Sequence, residues 1–379
     1  MKIVIAPDSF KESLSALEVA KAIESGFREI FPQADYFKLP VADGGEGTVE
    51  AMVAATRGKV VKCKVTGPLG EPLDAFFGLS GDEKIAFIEM AAASGLESVP
   101  QAKRNPLETT SYGTGELIKG ALDSGVEHII IGIGGSATND GGAGMMQALG
   151  ARLLNSQGED IGYGGGELAH LAKIDISGLD KRIAACRIEV ACDVTNPLTG
   201  KNGATAIFGP QKGATPDMIP KLDGYLKHYA DIIRRDLGID VDNVPGAGAA
   251  GGMGAALHGF CHAELRQGIE IVTEALGLDA LVRDATLVIT GEGRIDSQSI
   301  NGKVPIGVAR VAKRYNKPVI AIGGSLTKDV DVVFENGIDA VFSVLYSICS
   351  LEEALASAAE NLQKSARNIA ATIKLSQAL

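Results

Sequence analysis

Residues 1–48 read MKIVIAPDSF KESLSALEVA KAIESGFREI FPQADYFKLP VADGGEGT, and the fold class follows from them. Lys2–Ala6 is a short apolar run, the pattern of a buried strand. Ser15 with Glu18 three residues on is a capping box, and Val19, Ala20, Ile23 and Phe27 recur behind it at helical spacing. Tyr36–Val41 reads as a second strand and Glu46–Thr56 as a second helix. Further along, Glu116–Leu122 predicts a helix before a strand His128–Ile133, and Arg187–Ala191 is another strand. Thr286–Thr290, Val319–Ile322 and Ala340–Leu345 are three more apolar strands, separated by helical or loop segments. A last helix starts at Ser350, where Glu353 completes a second capping box; its stripe is Leu351, Leu355, Leu362, Ile369 and Ile373. Apolar strands alternating with helices indicate an α/β protein with a parallel sheet covered on both faces.

From about Cys63 to Glu264 the pattern is less regular and glycine is denser, as in YGGGEL, NGATAIFGPQKGAT and PGAGAAGGMGAAL. This middle part reads as a second domain inserted into the first. The expected division is 1–60 with 265–379 against 61–264, with part of 105–150 assignable to either. A length of 379 residues suits two domains.

Composition excludes several classes. Hydrophobic residues make up 45% and charged residues 22%, as in a globular protein rather than a disordered or collagen-like one. With 36 basic against 47 acidic residues the net charge is −11, the wrong sign for a nucleic-acid or anionic-membrane surface. Five cysteines, without a CxxC pair, suggest neither a disulfide framework nor a zinc ribbon and suit a reducing cytoplasm. The first apolar run is too short for a signal peptide, and no stretch approaches the ~18 apolar residues of a membrane span. Glycine is the outlier: 48 residues of 379, roughly 13% against a usual ~7%.

Open α/β sheets bind ligands beyond the carboxyl ends of their strands, and there Gly, Asp, Ser and Thr recur. The loops are Pro7-Asp8-Ser9-Phe10-Lys11, Ala42-Asp43-Gly44-Gly45-Glu46, Gly134-Gly135-Ser136-Ala137-Thr138-Asn139-Asp140-Gly141-Gly142, Cys192-Asp193, Gly291-Glu292-Gly293-Arg294-Ile295-Asp296 and Gly323-Gly324-Ser325. Glycine pairs let backbone N–H groups converge on an anion, basic side chains neutralise transferred phosphoryl charge, and aspartates hold magnesium or take a hydroxyl proton. One such loop is more often an ordinary turn; five or more at matching strand ends favour phosphate chemistry. The P-loop and protein-kinase signatures are absent. Gly132-x-Gly134-x-x-Ala137 fits the dinucleotide pattern but lacks the acidic residue about 20 positions on, and Gly246-x-Gly248-x-x-Gly251 follows no strand. An NAD(P)-dependent oxidoreductase acting on a small hydroxy acid is therefore the rival reading. His258, Cys261, His262 and Glu264 resemble a metal cluster, but chance surface histidines are the better reading.

Together, APDSFKESLSA, PVADGGEGT, GIGGSATNDGGAG, CDVTNPL, FGPQKGA, PGAGAAGGMGAA and TGEGRIDSQS resemble the class I glycerate kinase family over essentially the whole chain. The resemblance implies two α/β domains: a discontinuous, Rossmann-like doubly wound domain built from both chain ends, and a second α/β domain inserted between. It also implies transfer of phosphate from ATP, with Mg2+, to D-glycerate, giving 2-phosphoglycerate.

Chemistry then suggests roles. Asp193 is the expected base, with Asp296 as its substitute and Lys11 beside the transferred phosphate. Asp43, Asp140 and Asp296 are candidate magnesium ligands. Arg294 suits a carboxylate or phosphate, and Lys212 a phosphate. Asp8, Ser9, Glu46, Ser136, Asn139, Gly291 and Glu292 complete the candidate binding set, with the pairs Gly44-Gly45, Gly134-Gly135 and Gly141-Gly142 as phosphate nests. Lys11, Asp43, Asn139, Asp193 and Arg294 are expected to line one interdomain cleft.

Overall fold

The computed structural model describes residues 1–300 and 302–377. Its strands, in chain order, are β1 (Lys2–Ile5), β2 (Asp35–Lys38), β3 (Lys59–Thr66), β4 (Pro72–Leu79), β5 (Ile85–Glu89), β6 (His128–Gly132), β7 (Arg152–Leu154), β8 (Lys173–Asp175), β9 (Arg187–Ala191), β10 (Glu264–Arg266), β11 (Leu287–Ile295), β12 (Val319–Leu326) and β13 (Ala340–Ser343). The chain divides into two units. One comprises Met1–Asp43, Glu50–Arg57 and the chain from Gly268 onward; the other comprises Gly44–Val49 and Gly58–Gln267. The stretch 105–150 lies in the second, and the division passes through the helix Thr48–Thr56.

The first unit holds a five-stranded sheet in the order β13-β12-β11-β1-β2, parallel throughout. Strand side chains alternate between faces. Ile3, Ile5, Ile289 and Ile322 face one side, where Val19, Ile23 and Phe27 of the helix Ala16–Arg28 and Leu362 and Ile369 of the helix Ala358–Ser376 close the core. Those two helices approach so tightly that a Cβ on Gly26 would lie 2.3 Å from the Gln363 carbonyl. Val4, Val288 and Ala321, on the other face, are fully buried as well. Both predicted capping boxes form, Ser15 with Glu18 and Ser350 with Glu353. The last helical segment is two helices, Leu351–Ala356 and Ala358–Ser376, so Leu351 of the expected stripe is exposed while Leu362 and Ile369 are buried.

Two strands run longer than their apolar cores. β11 continues through Gly291-Glu292-Gly293-Arg294, and β12 through Gly323-Gly324-Ser325. Glycine here serves close approach rather than a turn. A Cβ on Gly291 would sit 2.3 Å from the Ile322 carbonyl, and one on Gly324 2.4 Å from that of Gly293. Gly291, Glu292 and Arg294 are therefore strand residues, a correction to their expected place in a loop.

The second unit holds a six-stranded sheet in the order β10-β9-β6-β5-β4-β3. It is parallel from β10 to β5 and antiparallel through β4 and β3. The β3–β4 hairpin turns at Gly70, whose φ of +87° favours glycine. β3 alternates charged and apolar residues, the signature of a half-solvated strand. Its core includes Ile129 and Ile131 of β6, Ile188 and Val190 of β9, and Leu226, Tyr229 and Ile233 of the helix Ile219–Leu237.

Candidate active site

In the first unit, the carboxyl ends of β1, β2 and β11 gather acids around one lysine. Asp8 lies three residues past β1, partly buried, and accepts from the Ser9 N–H at 2.7 Å. Burial and then Asp43 push its pKa up to about 7, outweighing that bond and the nearby Lys303 and Lys11. Glu292, on the far half of β11, is buried and accepts from the Ser299 hydroxyl. Burial again raises it to about 7 against the Ser299 bond and Lys303, with Asp8 and Asp296 adding to the rise. Lys303 Nζ donates to Asp43 Oδ2 at 3.3 Å. Burial works against the charge on Lys303, but Asp43, Glu292 and Asp8 outweigh it and its pKa is raised. Lys303 caps the helix Val304–Lys313, so its backbone is fixed by an element start with Pro305 in the first turn. The cluster thus sets two carboxyls raised to about 7 beside one ammonium.

Other expected members of this group have different duties. Asp296 accepts from the Gln298 N–H at 2.9 Å, closing a turn, and pairs with Arg294 Nε at 3.1 Å. Each of its oxygens thus has one local contact, the turn on one side and Arg294 on the other. Arg294 is exposed on β11, and Lys11 is exposed near Asp8.

The Gly134–Gly142 loop in the second unit divides in two. Its second half is buried and internally satisfied. Asp140 Oδ2 accepts from the Ser111 N–H at 2.9 Å, the Ser111 hydroxyl at 2.7 Å and the Gly144 N–H at 3.3 Å; Oδ1 accepts from Gly142 N–H at 3.1 Å. Burial raises its pKa against those four bonds. Fully buried and accepting four hydrogen bonds, Asp140 organises the start of the helix Ala143–Ala148. Gly141 and Gly142 are not a phosphate nest. Gly141 N–H donates to the Gly251 carbonyl, and a Cβ on Gly141 would press on the Tyr229 ring at 2.6 Å.

Lys212 is fully buried and donates to Ser136 Oγ at 2.6 Å and the Thr138 carbonyl at 2.7 Å. Burial pushes its pKa down to about 7, opposed by Asp140. It clamps the loop from within the core, and Ser136 Oγ is one of the two acceptors it holds. Asn139 is buried and donates to Thr205 Oγ1 at 2.9 Å. Among the described residues, Asn139 Oδ1 and Thr138 Oγ1 have no hydrogen-bond partner.

The first half of the loop is open. Gly134 and Gly135 are exposed and, with Gly44, Gly45 and Gly132, line a cavity of about 520 Å3 in the second unit. The two glycine loops lie against each other, since a Cβ on Gly132 would be 2.1 Å from the Gly44 carbonyl. Glu89 ends β5 on the wall of this cavity and accepts from the Val49 N–H at 2.8 Å at the start of the helix Thr48–Thr56. Burial raises its pKa against bonds from Val49, Gly47 and Thr48, with Glu46 adding to the rise. Sequence reasoning missed Glu89 and Lys303. Glu89 reads as one polar residue closing an apolar run, and Lys303 as a helix start in NGKVP.

Asp193, two residues past β9, is exposed in the second unit. The Gly132-x-Gly134-x-x-Ala137 pattern lacks its dinucleotide context, because no helix begins until Ala143. Among the described residues no three His, Cys, Asp or Glu side chains are arranged to hold a metal ion. His262 takes a left-handed helix-capping conformation, and the Cys261 thiol is buried and pushed up to about 12. Among the described residues no helix is long and apolar enough to cross a membrane.

Known proteins resemble the chain over its whole length. The model of the glycerate kinase family matches residues 3–374. A glycerate 2-kinase of Escherichia coli K12 is 68% identical over 99% of this chain and 98% of its own. A glycerate kinase of Bacillus subtilis 168 is 60% identical over 100% and 99%. The crystal structure of a candidate glycerate kinase 2 from Salmonella typhimurium LT2 is 71% identical, covers 100% of both chains and superposes with a TM-score of 0.94. With one family model spanning both units and relatives matching end to end, the chain belongs to the glycerate kinase family.

Proposed function

We propose that the chain transfers the γ-phosphoryl group of ATP to D-glycerate, at the 2-hydroxyl, giving 2-phosphoglycerate. The observation that carries the chemistry is the Asp8–Asp43–Glu292–Lys303 cluster. Phosphoryl transfer asks the protein for little covalent chemistry; it asks for positioning, a proton acceptor and neutralisation of phosphate charge. Asp8 is the base. With a pKa of about 7 it is ionised often enough at neutral pH to take the hydroxyl proton and basic enough to hold it. Glu292 holds Asp8 and Lys303 in one electrostatic unit, and Lys303 meets the negative charge brought by the nucleotide. Arg294, exposed and only singly paired with Asp296, retains guanidinium donors for the glycerate carboxylate.

Mg2+ suits this donor set. It needs only one or two protein carboxylates, and Asp43, in electrostatic contact with Asp8, would be the hard oxygen ligand that holds it, leaving Asp8 as the base. When bound, it would supply positive charge against the phosphate charge that develops during transfer. The five cysteines are free thiols, which suits the cytoplasm.

The test is direct. The purified protein, ATP, magnesium and D-glycerate should yield a new phosphate monoester assignable by phosphorus NMR coupled to the C2 proton. A product phosphorylated at C3 would overturn the position, and no glycerate-dependent loss of ATP would overturn the function.

A further inference from the structure

The glycine-lined cavity of the second unit was expected, from sequence, to hold phosphate. Its wall argues otherwise. Among the described residues it carries no Lys, Arg or His, but it does carry three glutamates, Glu46, Glu89 and Glu97. An anion there would face carboxylates with no basic side chain on the wall, which disfavours both a triphosphate and the glycerate carboxylate as occupants. A volume of about 520 Å3 falls within the range of about 300–1,000 Å3 typical of ligand pockets. Small residues floor it: Ala91, Ala92, Gly134 and Gly135 leave flat space rather than side chains. At its side stands Phe76, an aromatic ring on β4 that is 37% exposed, although other β4 side chains such as Phe77 and Leu79 are buried.

We infer that this cavity takes the neutral nucleoside of ATP, its base stacked on Phe76 over the glycine floor and its ribose hydroxyls donating to the exposed carboxylates Glu46 and Glu97. A purine offers a flat, uncharged, polarisable face, and stacking on an aromatic side chain is its commonest protein contact. Ribose hydroxyls are donors, and acidic side chains serve them in dinucleotide sites for the same reason. Glu89 is already engaged by the helix start at Val49 and serves to hold the Gly44–Gly45 loop in place. The phosphates, repelled by the wall, must leave the cavity, so the same wall orients the nucleotide. This inference rests on the proposal that ATP is the phosphate donor.

Adenosine is the probe, because it lacks the phosphates that other parts of the protein attract. Saturation-transfer NMR on the wild-type protein should show saturable adenosine binding that ATP displaces and tripolyphosphate does not. Phe76→Ala removes the stacking ring, and should raise the ratio of KM for ATP to KM for glycerate by about 5- to 150-fold. Ala92→Leu fills the floor and should move the ratio in the same direction, so a folding defect in one variant leaves the other to decide. Absence of saturable adenosine binding, or a ratio that neither variant raises, overturns the inference. If the wild-type protein fails to phosphorylate glycerate, the proposed function falls alone. The adenosine titration of wild type and Phe76→Ala then decides the cavity by itself, with weakened binding supporting it and unchanged binding overturning it.

Discussion

The carboxyl end of the first unit's sheet and the Ser136–Gly144 loop of the second are built from the same residue types, at the same kind of strand end. They differ in what surrounds their acids. Asp140 meets four hydrogen-bond donors, all from nearby backbone or Ser111, and is spent on folding. Among the described residues, Asp8 accepts from Ser9 alone, its N–H at 2.7 Å and its hydroxyl at 3.4 Å, and otherwise faces the charges of Asp43, Glu292, Lys303 and Lys11. Both carboxyls are raised by burial, so a displaced pKa does not separate them. Hydrogen bonding does: a carboxylate held by four donors is architecture, and one held mainly by charge is available for chemistry.

The sharpest way to break this contrast is Asp8→Asn. The amide keeps the shape and cannot take a proton, so kcat should fall by about 10²–10⁴ with the protein folded. The wild-type rate should rise with pH through about 7 as Asp8 ionises, and the variant should lose that limb. Stability gives an independent sign. A carboxyl raised in the folded state favours folding below its unfolded value, and loses that contribution as pH rises to its folded value. The Asp8 and Glu292 contributions should therefore decline from about pH 4 to about 7 in wild type, and urea titrations should show a flatter decline in Asp8→Asn. A rate near wild type with an intact acid limb would remove Asp8 from the mechanism.

Asp140→Asn is the counterpart. Whichever way the amide turns, its NH2 faces an N–H: Gly142 on one side, or Ser111 and Gly144 on the other. A buried donor left unsatisfied costs about 1–3 kcal/mol, so the melting temperature should fall clearly while kcat per folded molecule stays within a few-fold. A large loss of kcat without loss of stability would return Asp140 to the site. Lys212→Met should act in the same class with a smaller effect, about 1–2 kcal/mol, because burial of the amine is relieved while Ser136 Oγ and the Thr138 carbonyl lose their donor. Its pKa is depressed to about 7, so its contribution is present above the ordinary lysine value and is lost as pH falls through about 7. The gap in stability between wild type and Lys212→Met should thus narrow from pH 10 to 7 in denaturant titrations.

The strands of the first unit were legible because parallel, doubly covered strands are apolar throughout, as in Lys2–Ile5 and Val319–Ile322. Both capping boxes were legible because they are local, closed within four residues. The lengths of β11 and β12 were not. A glycine required by a neighbouring strand, such as Gly291 under Ile322, is indistinguishable in sequence from one required by a turn. At the site, Asp8, Asp43 and Glu292 were named because they follow or end strands. Lys303 and Glu89 were not, since each acts through residues from another segment: Lys303 through Asp43, Glu89 through Val49. Asp140 and Lys212 were named for residue type alone. Their residue types suit phosphate and metal, while Ser111 and Thr138, the partners that spend them, are also distant in sequence.

Asp193→Asn should have the smallest effect of all. The residue was the expected base because it follows β9 directly, but strand-end position alone is the criterion that failed for Asp140. Asp193 belongs to the second unit, is exposed, and stands apart in sequence and element from the group of Asp8, Asp43, Glu292 and Lys303 in the first. An exposed carboxylate replaced by its amide usually changes stability by no more than about 0.5 kcal/mol. Its kcat should fall by less than about tenfold, far short of the about 10²–10⁴ expected of a lost base. Steady-state kinetics and thermal melting on Asp193→Asn and Asp8→Asn, measured side by side, rank the two. If Asp193→Asn loses the acid limb of the pH profile and Asp8→Asn keeps it, the base is Asp193, and spent hydrogen-bonding capacity is the wrong criterion for finding it.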